Sequence, residues 1–327
     1  DISGAVSQLN DIDGLEAISG LNVASDAGIN GLAAVDLGSS AESTSGGYAI
    51  ASAQAGTLQG AQLGATDIGG VGSVAGETSL TSGAASSNVT GQAISLSQLT
   101  TAEGLQQTGE LDVKSDASVQ GLANVSSSAD AATTAGAATA NALSTTINGA
   151  DLAAGNLDIG GIGSIAGQAN FGLSATSSNV SDPSTATADS AEATGLIGKT
   201  TDTSTNPDTF GIDVASDSGL SGMAIGSLTA DASSTAGSAT ATAGADDSAI
   251  GAVLPSLNVG GISDLTGAAQ LDSSATASNV GSGAAAATAK AGEGQSVTGL
   301  TSGDSYNAPV QPVAPVAAVA HSIDFVE

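Results

Sequence analysis

The chain has 327 residues and a formal net charge of −29, with 32 acidic residues against three basic ones, Lys114, Lys199 and Lys290. With no basic face to meet phosphate, nucleic acid and anionic membrane surfaces are excluded as partners. Cys and Trp are absent and aromatics make up 2%. That excludes disulfides, thiolate sites and a thick aromatic core, and leaves Ala, Val, Ile and Leu to fill thin layers.

Residues 1–20 carry apolar residues at Ile2, Val6, Leu9, Ile12, Leu15 and Ile18 outside the repeat pattern that follows. This segment reads as an assembly strand, able to lie along a neighbouring subunit and extend its sheet, with Ile2, Val6 and Leu9 as contacts. Asp11, Asp13 and Glu16 bring carboxylates around Gly14, as calcium loops do. They are the candidate metal ligands, and calcium is the one cofactor the residues suggest. The string completes no known loop, so a plain turn is the preferred reading. A chain that starts at Asp1 rather than Met predicts a removed N-terminal leader, and hence an extracellular or cell-surface location.

From Leu21 onward the sequence repeats. LNVASDAGING at Leu21, LDVKSDASVQG at Leu111 and IDVASDSGLSG at Ile212 open three tandem units of about 95 residues. They span 21–110, 111–211 and 212–307. Each unit holds a second matched string, DIGGVGSVAG, DIGGIGSIAG or NVGGISDLTG, followed by SSNVT, SSNVS or ASNVG. An apolar-x-Gly-apolar element recurs with its glycine at Gly14, Gly31, Gly70, Gly121, Gly161, Gly222 and Gly261. Its central pairs (DG, NG, GG, QG, SG) suit two-residue turns, either hairpins or the arcs that join solenoid faces. Runs such as SSADAATTAGAATANAL alternate Ala with Ser or Thr, a period-two strand pattern. Ala also favours helix, but the interspersed Gly, Ser and Thr, and the lack of Glu–Lys pairs, oppose it. The predicted fold is therefore all-β: an elongated repeat protein, built either as a β-solenoid or as stacked sandwich-like units.

The second unit carries an insertion around SDPSTATADSAEATGLIGKTTDTSTNPDTFG, read as a protruding loop with Pro183 and Pro207. Residues 308–327 form a Pro-rich tail, in which proline at the expected next turn should stop the array. Its last residues turn strand-like again, with Ile323 and Phe325 as further assembly candidates. The longest uncharged stretch near this end, Ser305–Ile323, contains three prolines and is no membrane helix.

Catalytic chemistry has little to work with. His321 is the single histidine and stands in the tail, and no Arg is present to clamp an anion. The GGVGSVAG and GGIGSIAG strings resemble the start of the Gly-rich calcium nonapeptide of RTX proteins, but Ser73 and Ser164 stand where that motif needs Asp. Asn88-Val89-Thr90, Asn124-Val125-Ser126 and Asn179-Val180-Ser181 are formal glycosylation sequons in a Ser/Thr-rich background. The expected function is a structural subunit of an extracellular filament or matrix. It would partner itself, with no enzyme activity and no small-molecule substrate. The alternative is a monomeric solenoid that serves as an adhesin stalk or binds calcium or ice.

Overall fold

In the computed structural model, residues 2–17, 20–153, 155–198, 211–244, 247–279, 287–291, 296–306 and 319–326 are described. Each of the first five circuits of the chain lays down a long strand, a three-residue strand and a second long strand. The first coil is β1 (Ile2–Ala17), β2 (Leu21–Val23) and β3 (Ala27–Ser43), and the second is β4 (Tyr48–Leu63), β5 (Thr66–Ile68) and β6 (Gly72–Asn88). The third is β7 (Gln92–Gln107), β8 (Leu111–Val113) and β9 (Ala117–Thr133), and the fourth is β10 (Ala138–Leu152), β11 (Leu157–Ile159) and β12 (Gly163–Asn179). The fifth is β13 (Ser184–Gly198), β14 (Ile212–Val214) and β15 (Ser218–Ser234), and the sixth is β16 (Ala239–Ala243), β17 (Ser248–Val259) and β18 (Ser263–Asn279). A partial seventh coil follows as β19 (Ala287–Ala291), β20 (Ser296–Tyr306) and β21 (Val319–Val326).

Among the described residues every strand pairing is parallel and joins one coil to the next, as Ala27↔Gly72↔Ala117↔Gly163 shows. The result is a β-solenoid with two broad faces and one narrow face of short strands. Parallel pairing overturns the hairpin reading of the repeated turns, and the arc reading fits only three of the seven. Gly14, Gly31, Gly121 and Gly222, expected in turns, lie inside β1, β3, β9 and β15. Gly70, Gly161 and Gly261 do sit at bends before the second long strand of a coil.

The strand glycines have a different task. An added Cβ on Gly31, Gly121 or Gly222 would lie 2.1, 2.0 and 2.0 Å from the carbonyl oxygens of Gly60, Gly149 and Gly251 on the opposite face. Gly76, Gly167 and Gly267 continue the row against Gly104, Gly195 and Gly299, each at 2.0 Å. Two glycine ladders thus pinch the broad faces together backbone to backbone along the axis. The pairing register skips Gly60, Gly104 and Gly149, which kinks that face at the pinch. On one side lies a thin compartment lined mainly by alanine, including Ala51, Ala140, Ala186 and Ala241. On the other lies a thicker one of Leu, Ile and Val that the short strands close, including Leu63, Ile68, Val113 and Ile159. Alternation turns small apolar side chains inward, joined by buried, hydrogen-bonded serines such as Ser82, Ser97 and Ser127, which is why low aromatic content suffices.

A coil is about 45 residues, so each sequence unit of roughly twice that lays down two coils. The doubling has a physical cause at the corner before each second long strand. Coils one, three and five carry Ser-Asp there, and coils two, four and six carry Gly-Gly-(Val/Ile). Oδ1 of Asp26, Asp116 and Asp217 accepts the backbone N–H of Val71, Ile162 and Ile262 in the next coil, at 2.8 Å each. The same oxygens fill the space that a Cβ on Gly70, Gly161 or Gly261 would take, at 2.1, 2.3 and 2.2 Å. An Asp in one coil therefore demands Gly in the next. The opposite corner alternates too, with buried Asn88, Asn179 and Asn279 in the even coils. Asn88 donates to the carbonyls of Gly47 and Gln92 and accepts from Thr90 and Gly91 N–H.

Two expectations change in this light. Much of the supposed loop after Pro183 is the regular strand β13, and Pro183 itself accepts a bond from Ala138 N–H at the corner. The rest of that insertion, with Pro207, lies outside the described residues. The array also does not end at the prolines, which lie outside the described residues as well. β21 returns as a further rung, pairing parallel with Asp272–Asn279 of β18.

Candidate functional site: the N-terminal coil face

The assembly candidates fall on two different rungs. Ile2, Val6 and Leu9 belong to β1, which is no detached arm but the first rung of a broad face, with Ile2↔Tyr48 and Leu9↔Ala55 in register. Ile2 and Val6 point outward, 76% and 70% exposed, while Leu9 packs against the alanine compartment. Ile323 and Phe325 lie on β21, aligned with Thr276 and Ser278 of the same chain.

The sequence did not reveal how the first coil ends. Among the described residues no strand lies on the outer edge of β1, β2 or β3. In β1 and β2 the inward residues Leu9, Ile12, Leu15 and Val23 are only half-buried, as is Val35 of β3, whereas Ile29, Ala33, Leu37 and Ala41 of β3 are buried. One coil further in, the register partners Ala55, Leu58, Ala61, Ile68 and Leu80 are all at most 4% exposed. The first coil therefore presents a cross-section of the core, rimmed by the strand edges of β1, β2 and β3.

Asp11, Asp13 and Glu16 lie on the exposed face of β1, opposite Thr57, Gln59 and Gln62. They are spread along an extended strand, so the turn preferred for this string is not formed around Gly14. No group of three or more His, Cys, Asp or Glu side chains converges among the described residues.

The narrow face holds a feature the sequence reading missed. Asp67, Asp112, Asp158 and Asp213 stand in register on consecutive short strands, flanked by Asn22 and Asn258. Parallel strands repeat at ~4.8 Å, so this is a carboxylate ladder. Burial, then Asp112 and Asp213, pushes the Asp158 carboxyl above its ordinary range, against a smaller pull from Lys114. Lys114 bonds Asp112, and that contact chiefly raises the Lys114 ammonium. Asn258 donates to Asp213 at 3.1 Å. A shallow groove of about 380 Å³ runs past Asn22, Thr66, Asp67, Glu110 and Asp112. The signal was in the repeated D-V and D-I pairs, but only a 45-residue register brings them into line.

On the kinked broad face, Glu103 is 7% exposed and accepts from Gln59 Nε2 at 2.9 Å. Gln59 and Gln62 also donate to Gln106. Burial raises the Glu103 carboxyl more than the Gln59 contact lowers it. As for the sequons, Asn88 and Asn179 are each 5% exposed, and their amides serve the corners. Asn124 accepts from Asn170 Nδ2 on the outer surface.

These elements define a parallel β-solenoid with a pinched two-compartment core and an acidic edge. No protein-family model matches the chain, and no curated protein or solved structure is detectably similar to it.

Proposed function

We propose that the chain is a structural subunit of an extracellular or cell-surface filament or matrix, extended end to end by strand addition onto the first coil. The observation that carries this reading is the half-buried apolar row of β1 and β2, Leu9, Ile12, Leu15 and Val23. Long open strand edges are templates for pairing, and a parallel coil laid there would bury the apolar row and extend the ladder. The occupant is a second copy of the chain. The scarcity of catalytic groups, one His and no Arg, agrees with a non-enzymatic role. Sedimentation and negative-stain microscopy of the purified chain over a range of concentrations test this. Filaments should grow with concentration, while Leu15→Lys combined with Val23→Lys should give single rods with unchanged strand content by circular dichroism. A wild-type chain that stays monomeric at high concentration would overturn the reading.

A second reading, a single rod that binds through its side, has one observation in its favour. Thr139, Thr185, Thr240 and Thr288 form an in-register column, with Thr187 and Thr242 paired beside it. Such a hydroxyl–methyl array could order water at an ice surface. Absence of thermal hysteresis or of ice-recrystallisation inhibition would remove that version.

A further inference from the structure

We propose that a break in the broad face between coils five and six binds a hard divalent cation of the calcium class, held by the carboxylates of Asp189 and Asp247 and the hydroxyl of Ser190. This goes beyond the structural role above and does not depend on end-to-end assembly.

The break has a local cause. β16 ends at Ala243 and β17 begins at Ser248. The pairing offset with β13 is 55 residues at Ala188↔Ala243 (243 − 188) and 56 at Glu192↔Ser248 (248 − 192), so coil six takes in one extra residue here. Gly244 adopts a left-handed conformation at this point, with φ 63°, and its N–H still reaches the Ala188 carbonyl at 2.9 Å. In a regular parallel pair the next ladder donor, the Ser190 N–H, would meet a backbone carbonyl of coil six. It meets Asp247 Oδ1 instead, at 3.1 Å. The Asp247 carboxylate therefore lies near the plane of the sheet, at the gap in its wall, and the residue is 1% exposed.

Oxygens reach that gap from both sides of β13. Ser190 is in phase with Ala186 and Ala188, which line the alanine compartment. It is 1% exposed, and its Oγ has no hydrogen-bond partner among the described residues. Asp189 alternates to the outer side, yet its Oδ1 is also shielded from solvent and has no partner among the described residues. A buried hydroxyl and a shielded carboxylate oxygen are each costly to leave unbonded. Carboxylates only accept, so those of Asp189 and Asp247 cannot bond one another. A divalent cation between them matches their two charges, and the Ser190 oxygen adds a neutral ligand. Oxygen-only donors suit calcium, which tolerates irregular sets completed by water. The net charge of −29 raises the local concentration of such cations.

Calcium is the probe, added to the full chain after treatment with a chelator. Hydrogen exchange is read at the backbone amides of residues 186–190 and 247–250, with sodium chloride at matched ionic strength as the reference. A site of this openness should bind with a Kd of about 10⁻⁴–10⁻³ M. Free calcium at about 10 mM should then slow these amides about tenfold or more and raise the melting temperature. Asp189→Asn combined with Asp247→Asn should lose the response and keep its strand content by circular dichroism, because the amide oxygen at position 247 still accepts the Ser190 N–H. Ser190→Ala should leave the calcium-free fold at least as stable, by removing an unbonded hydroxyl, and should weaken the calcium response. Asp112→Asn, on the narrow face, should respond like the wild type. Protection that is absent, spread evenly over the acidic faces, or retained in the double variant would overturn the proposal. An internal water alone at the gap would give the first of these results.

Discussion

Replacing Gly121 with Ala tests the pinch that shapes the core. The new Cβ would lie 2.0 Å from Gly149 O, 2.6 Å from Gly149 C and 2.7 Å from Ala150 Cβ. All three atoms belong to a strand held in register on both sides. None is the end of a flexible side chain, so the faces must part by more than 1 Å or the register must break. Overpacking of this kind costs about 1–3 kcal/mol, and occasionally more. With only backbone to yield, the upper end, about 3 kcal/mol, is expected. It should outweigh the roughly 0.5–1 kcal/mol gained when Gly in a strand becomes Ala. Gly172→Ala is the control: it lies in β12, where an added Cβ meets nothing within 4 Å, so it should be neutral or slightly stabilising. Urea unfolding followed by circular dichroism gives the difference, and hydrogen exchange shows whether coils three and four loosen first, as nearest-neighbour coupling predicts. If the two variants lie within about 0.5 kcal/mol of each other, the backbone contact between the faces is not what sets their separation.

Asp158→Asn should stabilise the fold at neutral pH and low salt by up to about 1 kcal/mol, because ladder charges at such spacing repel by that order in water; added salt should shrink the gain, and an unchanged or lower melting temperature would refute it. The carboxyls of Asp158 and Glu103 are both raised in the fold, so the folded state holds their protons more tightly than the unfolded chain. Their contribution to stability should fall as pH rises through the carboxylate range and recover on acidification. A pH titration of the melting temperature on wild type and on Glu103→Gln should show a shallower slope in the variant. Asp116→Ala should cost about 0.5–1.5 kcal/mol by removing the bond to the Ile162 N–H, read by urea unfolding. Asn88→Ala removes four bonds from a buried corner and should cost more, about 2–4 kcal/mol at roughly 1 kcal/mol per bond.

Much of the fold was legible because its signals are local and repeated. Ala alternating with Ser or Thr marks strands, and matched strings mark tandem units. Glycine was the residue type most easily misread. Gly31 and Gly70 share the same four-residue pattern, yet one lies in a strand and the other at a bend, because a glycine permits both a turn and a close backbone approach. The local string does not say which. The acidic ladder went unseen for a related reason: Asp67 and Asp112 are neighbours only once the coil length is known.

By itself the sequence determined an acidic, all-strand repeat chain with a small-residue core and few groups able to run catalysis. Composition and period-two patterning are properties of the chain itself and need no partner strand to be read. Tertiary structure alone decided that the pairing is parallel, that one unit is two coils, that the glycines pinch the core, and that the first coil leaves its apolar section half-buried. Each of those depends on which residues meet one coil apart. Backbone hydrogen bonding between successive turns fixes that register, and no stretch of sequence shorter than a coil contains it.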